Sequence, residues 1–206
     1  DPKAMVQVNW ALPEINDRSL SLALSVLSYC VAGTQASPLR KALVDSGLGE
    51  DITGGGVSGG MRQMLFVIGL KGVLPENIAK VEGLVLDTLA TIAAQGIDPE
   101  LVEAAINTIE FNLRENNTGS FPRGLATLMR VLRPWAFGQD PVDWLGYEAS
   151  LGAVKYRLAA DPAFLSTLIR TYLLDNTHRV TVILEPDPAY NQALEQGEQA
   201  RLAAAK

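Results

Sequence analysis

Three stretches of alternating apolar and polar residues, widely separated along the chain, constrain its fold most. They cover residues 6–12, 52–72 and 180–184, and this period-two alternation is typical of strands with one buried face. Pro13 is predicted to end the first strand and Pro186 the last, because proline cannot donate a hydrogen bond to a strand ladder. The middle stretch is long enough for a hairpin, so the chain predicts about four β segments.

Helical periodicity fills the intervals between these strands. Asp17 is a suitable N-cap for a first helix that Gly33 closes, and Ser37 is the predicted cap of a second helix that begins at Pro38 and stops at Gly47. Further helices are predicted around residues 78–95, 99–113, 125–131, 143–149 and 164–172, with Pro134 and Pro141 in a loop. The predicted class is α+β, with a mixed, largely antiparallel sheet and several helices layered on one face.

The chain is predicted to form one domain over residues 1–190, since no linker composition precedes residue 188. Residues 191–206 are rich in Ala, Gln, Glu and Arg, and we expect a helical linker there to the rest of a longer parent chain. The start at Asp1-Pro2, close to a strand pattern and without a signal-peptide pattern, also favours a fragment of a longer polypeptide.

Composition excludes some classes of partner. The chain is 48% hydrophobic and 19% charged, with a net charge of −6, which argues against nucleic acid. No apolar run approaches the roughly 18 residues that a membrane span needs, so we expect no membrane partner and a soluble protein inside the cell, in the cytoplasm or in an organelle if the source is eukaryotic. Cys30 lies on an apolar helix face, where a buried, inert thiol is expected.

Residues 116–125 interrupt a long helical pattern. Gly119 can adopt a positive φ and end the first helix, and Pro122 fixes the entry to the second. Before the interruption, Glu110 and Arg114 have the i, i+4 order that favours an ion pair. After it a new apolar stripe begins, formed by Leu125, Leu128, Met129 and Leu132.

The same ten residues, together with the run from Ser37 to Gly49, resemble the presequence-protease branch of the pitrilysin and insulin-degrading-enzyme zinc metallopeptidases, which are inverzincins. The similarity extends from about Val6 to the C-terminus. The family has four related α+β domains in one chain, and this chain resembles the second, which does not carry the zinc.

The resemblance implies a pitrilysin-type metallopeptidase domain that serves as a non-catalytic scaffold and wall of a chamber for degrading short unfolded peptides. It implies zinc in the parent's first domain and none here. That zinc-bearing domain and the peptide substrate are the implied partners. Ser120, Phe121 and Arg123 are the expected contacts with the chamber, and no catalytic residue is expected.

The residues themselves also argue against a zinc centre. His178 is the chain's one histidine, so the paired ligands of an H-x-x-E-H motif are missing. The resemblance further associates catalysis with an Arg and a Tyr six residues later in the family's fourth domain. In the matching segment Val44 stands at the Arg position, and no Arg or Tyr lies between Leu43 and Met61.

A glycine-rich run at residues 54–60 matches two enzyme patterns, G-x-G-x-x-G and G-x-S-x-G. Both patterns require a helix after the glycines, whereas a strand pattern follows here. Ser58 with His178, oriented by Asp161 or Asp175, keeps a stand-alone serine hydrolase as an alternative. A third alternative is an inactive module that binds peptides or proteins. Asn116-Asn117-Thr118 is formally a glycosylation sequon.

The sequence does not decide the environment of two groups of residues. Arg123, Arg130 and Arg133 form a basic patch that is either solvated, paired with a neighbouring domain, or in contact with peptide. The aromatic segments 135–137 and 144–147 either fill the core or form part of an apolar face that contacts the zinc-bearing domain. An exposed apolar face of this kind predicts a homodimer of the isolated chain.

Overall fold

A four-stranded antiparallel sheet in the order β2–β3–β1–β4 forms one layer of the structure. The computed structural model describes residues 3–204. The strands are β1 (Ala4–Glu14), β2 (Asp51–Ser58), β3 (Gln63–Val73) and β4 (Arg179–Leu184). The predicted α+β class, with helices layered on a sheet, is confirmed, and every strand pair in the described chain is antiparallel.

The helical layer follows the chain in order. Its α-helices are α1 (Arg18–Ser28), α2 (Pro38–Asp45), α3 (Ile78–Gln95), α4 (Pro99–Glu115), α5 (Arg123–Ala136), α6 (Glu148–Ala160), α7 (Phe164–Ile169) and α8 (Tyr190–Ala204). One π-helical turn, Tyr29–Gly33, continues α1, and another, Arg170–Leu174, continues α7. A short 3₁₀ turn, Pro75–Asn77, leads into α3.

Strand β1 is central and pairs with the two strands at its sides. Val8 faces Ile68 of β3 and Thr181 of β4, so the first and last described strands are neighbours. The prediction that Pro13 ends this strand is wrong, because β1 continues to Glu14. The pairing with β3 slips between Ala11 and Glu14, and this irregularity accommodates a residue that cannot donate to the ladder.

The core lies between the sheet and the helices. Trp10 is fully buried, meets Phe66 edge-on at 5.6 Å between ring centroids, and donates from Nε1 to the Leu173 carbonyl oxygen at 2.7 Å. Leu27 of α1 and Val85 of α3 are buried in the same cluster. The buried faces of β1 and of these helices are therefore the apolar faces that the two-residue and 3.6-residue periods in the sequence indicate.

Of the two predicted N-cap side chains, one caps its helix and the other does not. Asp17 accepts a hydrogen bond from the Leu20 N–H at 2.9 Å, as predicted for the N-cap of α1. Ser37 occupies the N-cap position of α2, but its Oγ accepts from the Thr34 N–H at 3.0 Å and donates to the Tyr29 carbonyl oxygen at 3.1 Å. The Ser37 side chain thus stabilises the preceding turn rather than α2.

The predictions around α5 and α6 need correction. The predicted helix over 143–149 is wrong, since residues 141–145 form turns and α6 begins only at Glu148. Pro134, predicted in a loop, lies inside the last turn of α5, where it is buried. Proline lacks the N–H that would bond to the carbonyl four residues earlier, and α5 ends two residues later, at Ala136.

The thiol of Cys30 is fully buried in the helical layer, as expected from its place on the apolar stripe. Desolvation by this burial raises its pKa to about 12. The side chain is therefore a neutral thiol at physiological pH and behaves as a small core residue.

By length and composition, the helical segment Arg18–Asp45 could cross a membrane. Core helices of a globular domain can have the same length and composition. In the structure 44% of its most apolar window is buried, and Leu24 and Leu27 belong to the core. Packing against the sheet accounts for their apolar character.

The C-terminal helix α8 has no buried residue, and the assignment of residues 191–206 as a linker stays a prediction. Four residues of the predicted domain and linker, 1, 2, 205 and 206, lie outside the described chain.

Candidate functional site

The turn between α4 and α5 is held by its own hydrogen bonds. Helix α4 ends at Glu115, and Asn116 follows as a left-handed C-cap with φ 44°. Gly119 adopts φ 57°, so its predicted positive φ is confirmed, although Asn116 and not Gly119 ends the helix. Asn117 Oδ1 accepts from the Gly119 N–H at 3.0 Å, as an Asx turn does.

The three residues predicted to contact a peptide chamber lie together at the end of this turn. Ser120, Phe121 and Arg123 are all exposed, with Phe121 at 44%. Thr118 Oγ1 donates to the Phe121 carbonyl oxygen at 2.5 Å, and the Phe121 N–H donates to the Thr118 carbonyl oxygen at 3.0 Å. The aromatic side chain is therefore presented to solvent on a hydrogen-bonded turn.

Helix α5 continues this exposed surface. Its apolar stripe consists of five residues at helical spacing, each between 43% and 56% exposed: Leu125, Leu128, Met129, Leu132 and Trp135. The buried residues of the helix are Val131 and Pro134, on a different face. The apolar side of an amphipathic helix normally faces the core. Here that side faces solvent, and we call these five residues the α5 stripe.

The three arginines of the predicted basic patch separate in the structure. Arg123 lies beside the turn, whereas Arg130 and Arg133 line a cavity that α5 forms with α1. Arg18 of α1 lines the same cavity, and it was not predicted from the sequence. Arg18 is more than a hundred positions from Arg130 and Arg133 in the sequence, so no local sequence pattern could indicate that they line the same cavity.

The predicted aromatic region also divides into two environments. Trp135 and Phe137 are exposed at the end of α5. Trp144 and Tyr147 are half-buried, and Trp144 packs against the core, where the Arg18 guanidinium lies 5.9 Å from its ring centroid. The core interpretation therefore agrees with Trp144, whereas contact of Trp135 and Phe137 with a zinc-bearing domain stays a prediction.

Catalytic groups are sparse in the described chain. Among residues 3–204, no three His, Cys, Asp or Glu side chains come close enough to hold a metal ion. The His178 side chain is exposed at the start of β4, and its backbone carbonyl oxygen accepts from the Ala11 N–H at 2.9 Å. Val44, at the position where the family's fourth domain has an arginine, is an exposed aliphatic residue. These residues do not fit a zinc site.

The serine-hydrolase alternative is wrong on geometry. Ser58 is on the edge strand β2 and His178 precedes the opposite edge strand β4, with β3 and β1 between them. Three strand spacings separate these two edges by roughly 14 Å, whereas a nucleophile and its base must be in hydrogen-bond contact.

The glycine run itself has a structural role in β2. A Cβ on Gly54 would lie 2.4 Å from the Val67 carbonyl oxygen, and one on Gly56 would meet Ser28 Oγ at 2.0 Å. That Oγ accepts from the Val57 N–H at 2.9 Å. These glycines therefore permit the close approach of β2 to β3 and α1, and no helix follows them to bind a phosphate.

Taken together, the fold and its surface define an α+β domain whose described residues form no metal site and whose helix α5 has an uncovered apolar face. Residues 1–109 match the family described as Peptidase M16 inactive domain. The chain belongs to this family, which confirms that it is a non-catalytic domain of the M16 peptidases.

Similar proteins agree with this assignment. The chain is 49% identical over 189 residues to the chloroplastic and mitochondrial presequence protease 1 of Arabidopsis thaliana, covering 90% of this chain and 18% of that protein. It is 32% identical over 203 residues to the mitochondrial presequence protease of Xenopus laevis, covering 98% of this chain and 20% of that protein. The chain thus spans about a fifth of the length of these curated relatives.

A solved structure shows the same fold. The crystal structure of a peptidase M16 inactive domain from Pseudomonas fluorescens superposes with a TM-score of 0.61 at 14% identity. The match covers 89% of this chain and 41% of that one. At this identity the likeness concerns the fold alone, and it agrees with the family assignment.

Proposed function

We propose that this domain is a scaffold and chamber wall of a larger zinc metalloendopeptidase that degrades short unfolded peptides. Membership of the inactive-domain family supports the non-catalytic role, and the names of the presequence-protease relatives support the peptide substrate. The observation that carries the proposal is the α5 stripe, an apolar surface that the domain itself leaves uncovered. A patch of this kind marks an interaction surface.

The partner of the α5 stripe is the zinc-bearing domain of the same polypeptide. The stripe is regular and apolar, and Phe137 extends it beyond the last turn of α5. Such a surface suits a permanent contact between domains better than a transient polar one. In the isolated chain, the same stripe pairs with a second copy and forms a symmetric dimer.

The turn residues Ser120, Phe121 and Arg123 contact the peptide substrate. Phe121 offers an exposed ring to an apolar side chain, and Arg123 offers donors to peptide carbonyl or carboxylate oxygens. Zinc belongs to the first domain of the complete polypeptide, and the protein acts inside the cell, in the cytoplasm or an organelle. The mitochondrial and chloroplastic names of the relatives support that location.

The first test uses the chain alone. After dialysis it should retain no stoichiometric zinc and should not hydrolyse a short unfolded peptide, because the paired ligands of a zinc site are missing from its described residues. Metal analysis and a peptide-cleavage assay measure the two outcomes. One tightly held zinc per chain, or cleavage by the purified chain, would overturn the non-catalytic assignment.

The second test uses the complete polypeptide. Phe121→Ser should raise KM for a short peptide by about tenfold without changing zinc content, since one buried aromatic contact contributes about that much. Tyr156→Ser is the matched control, because Tyr156 is an aromatic residue that is 75% exposed on α6, away from the turn. An unchanged KM in Phe121→Ser would contradict the contact between Phe121 and the peptide. If the complete polypeptide has no peptidase activity, the alternative of an inactive binding module is favoured.

A further inference from the structure

A cavity of about 310 Å³ lies between α1, the end of the β2–β3 hairpin, α5 and the turn before α6. Small-ligand pockets typically have volumes of roughly 300–1,000 Å³ and combine apolar walls with a few convergent polar groups. This cavity has that composition. Leu22 and Met64 contribute to its apolar wall, and three arginines line it: Arg18, Arg130 and Arg133.

The arginines of the cavity differ from others in the domain in their partners. Arg62, Arg114 and Arg179 each form an ion pair with a glutamate. Within residues 3–204, the three arginines of the cavity have no carboxylate oxygen within 4.0 Å. Three arginines that line one cavity without an ion pair leave a local positive charge in a protein whose net charge is −6.

Arg18 is held in position by its neighbours. Its guanidinium donates to the Gly146 carbonyl oxygen and lies 5.9 Å from the centroid of the Trp144 ring. The guanidinium group keeps further N–H donors beyond that one hydrogen bond. The cavity therefore has a positioned cation beside an aromatic wall.

Arg130 provides an independent indication of a ligand. Its Nε is buried, and within the described chain it has no hydrogen-bond acceptor. Buried donors without an acceptor are rare in native structures, because desolvation without compensation is costly. An anion bound in the cavity would supply the acceptor that the protein does not.

We propose that this cavity binds a carboxylate that carries an apolar body. Guanidinium groups match carboxylates in shape and can bind them through two parallel hydrogen bonds. The side chains of Leu22, Met64 and Leu113 suit an alkyl or aryl group attached to that carboxylate. The carboxylate belongs either to the last residue of a peptide or to a free alkyl or aryl acid, and the site does not depend on the proposed role in a peptidase.

The test titrates the 206-residue chain with N-acetyl-L-phenylalanine, following the heat of binding and the tryptophan fluorescence, to which Trp144 in the cavity wall contributes. The acid should bind saturably, and its neutral amide should bind at least about tenfold more weakly, because the amide lacks the charge-assisted hydrogen bonds. Octanoate is the second probe. Binding of the acetylated amino acid alone indicates a peptide terminus, and equal binding of octanoate indicates a free acid.

Two variants make the assignment specific. Arg130→Gln and Arg133→Gln should each weaken binding of the acid by about tenfold and leave binding of the amide unchanged. Arg201→Gln, which removes the same charge from the exposed helix α8 outside the cavity, should leave both unchanged. Arg133 is exposed, so its variant keeps the test valid if Arg130→Gln does not fold.

Equal affinity for acid and amide would overturn the proposal, as would the absence of saturable binding. An equal loss of acid binding in the Arg201→Gln control would also overturn it, because binding would then depend on net charge and not on this cavity.

Discussion

Helices α1 and α5 have the same kind of sequence and opposite surroundings. Both have an apolar stripe at helical spacing. On α1 the stripe is in the core, where Leu24 and Leu27 are each 1% exposed. On α5 the stripe faces solvent, with Leu128 at 47%. Periodicity therefore identifies an apolar face, but it does not identify what covers that face, whether the same domain or another one.

Core truncation on α1 should have the largest effect on stability. Leu27→Ala should lower the free energy of unfolding by about 2–5 kcal/mol, because it removes buried methyl groups and leaves a cavity. Urea unfolding followed by circular dichroism measures this change. At a concentration at which the chain is monomeric, the paired variant Leu128→Ala on α5 should change the free energy by less than about 0.5 kcal/mol. Equal losses in the two variants would mean that the α5 stripe is buried in the isolated chain.

The turn that begins α5 should be next in sensitivity. Gly119 has φ 57° and open space where a Cβ would lie, so Gly119→Val should cost about 1–3 kcal/mol through backbone strain alone. Gly124 also has open space but lies inside α5, and Gly124→Ala should stabilise the domain by about 0.4–1 kcal/mol. Thermal midpoints that move in opposite directions would confirm this placement of the turn, and an unchanged midpoint for Gly119→Val would contradict it.

The N-terminus of α1 should show a smaller loss. Asp17→Ala removes the acceptor of the Leu20 N–H and should cost about 0.5–2 kcal/mol. Asp87→Ala, which replaces an aspartate inside α3, is the matched control and should be close to neutral. Helix α5 begins after Pro122 without a side-chain cap, so it lacks this source of stability. A loss in Asp87→Ala as large as that in Asp17→Ala would assign the effect to charge and not to capping.

The smallest effect on stability should accompany a large effect on association. Leu128→Glu should leave the free energy of unfolding of the monomer within about 0.5 kcal/mol, because the side chain is already half exposed. The unsubstituted chain should sediment as a dimer at high concentration, and the variant should remain monomeric. Tyr156→Glu, on exposed α6, should still dimerise. If the unsubstituted chain is monomeric even at high concentration, the proposal that the α5 stripe mediates self-association is wrong.

The elements with regular patterns could be predicted from the sequence. The alternation in β1 and β3 and the N-cap at Asp17 correspond to observed elements. The start of helix α6 could not be placed, because its buried residues form only a narrow stripe, Ser150, Leu151 and Val154, in an Ala-rich segment. The extension of β1 past Pro13 was not predictable either, because a bulge depends on the partner strand, which local sequence does not encode.

The candidate sites were only partly predictable for a similar reason. The side chains of the α5 stripe were identified as an apolar face, but their exposure depends on the absence of a covering element among the described residues. The arginine cavity combines Arg18 with Arg130 and Arg133, and the tertiary fold alone makes them neighbours. Sequence patterns report local periodicity, whereas both sites arise from the packing of distant elements.

The pairing of β1 with β4 has a consequence for the order of folding during synthesis. As the chain leaves the ribosome, β1 can pair with β3 early, but its other edge stays open until residues 179–184 have emerged. During that interval the backbone donors and acceptors of β1 on that side are available to any other extended segment nearby. Strand β4 therefore covers the free edge of β1, and a nascent chain stalled before Arg179 exposes that edge beside a nearly complete core.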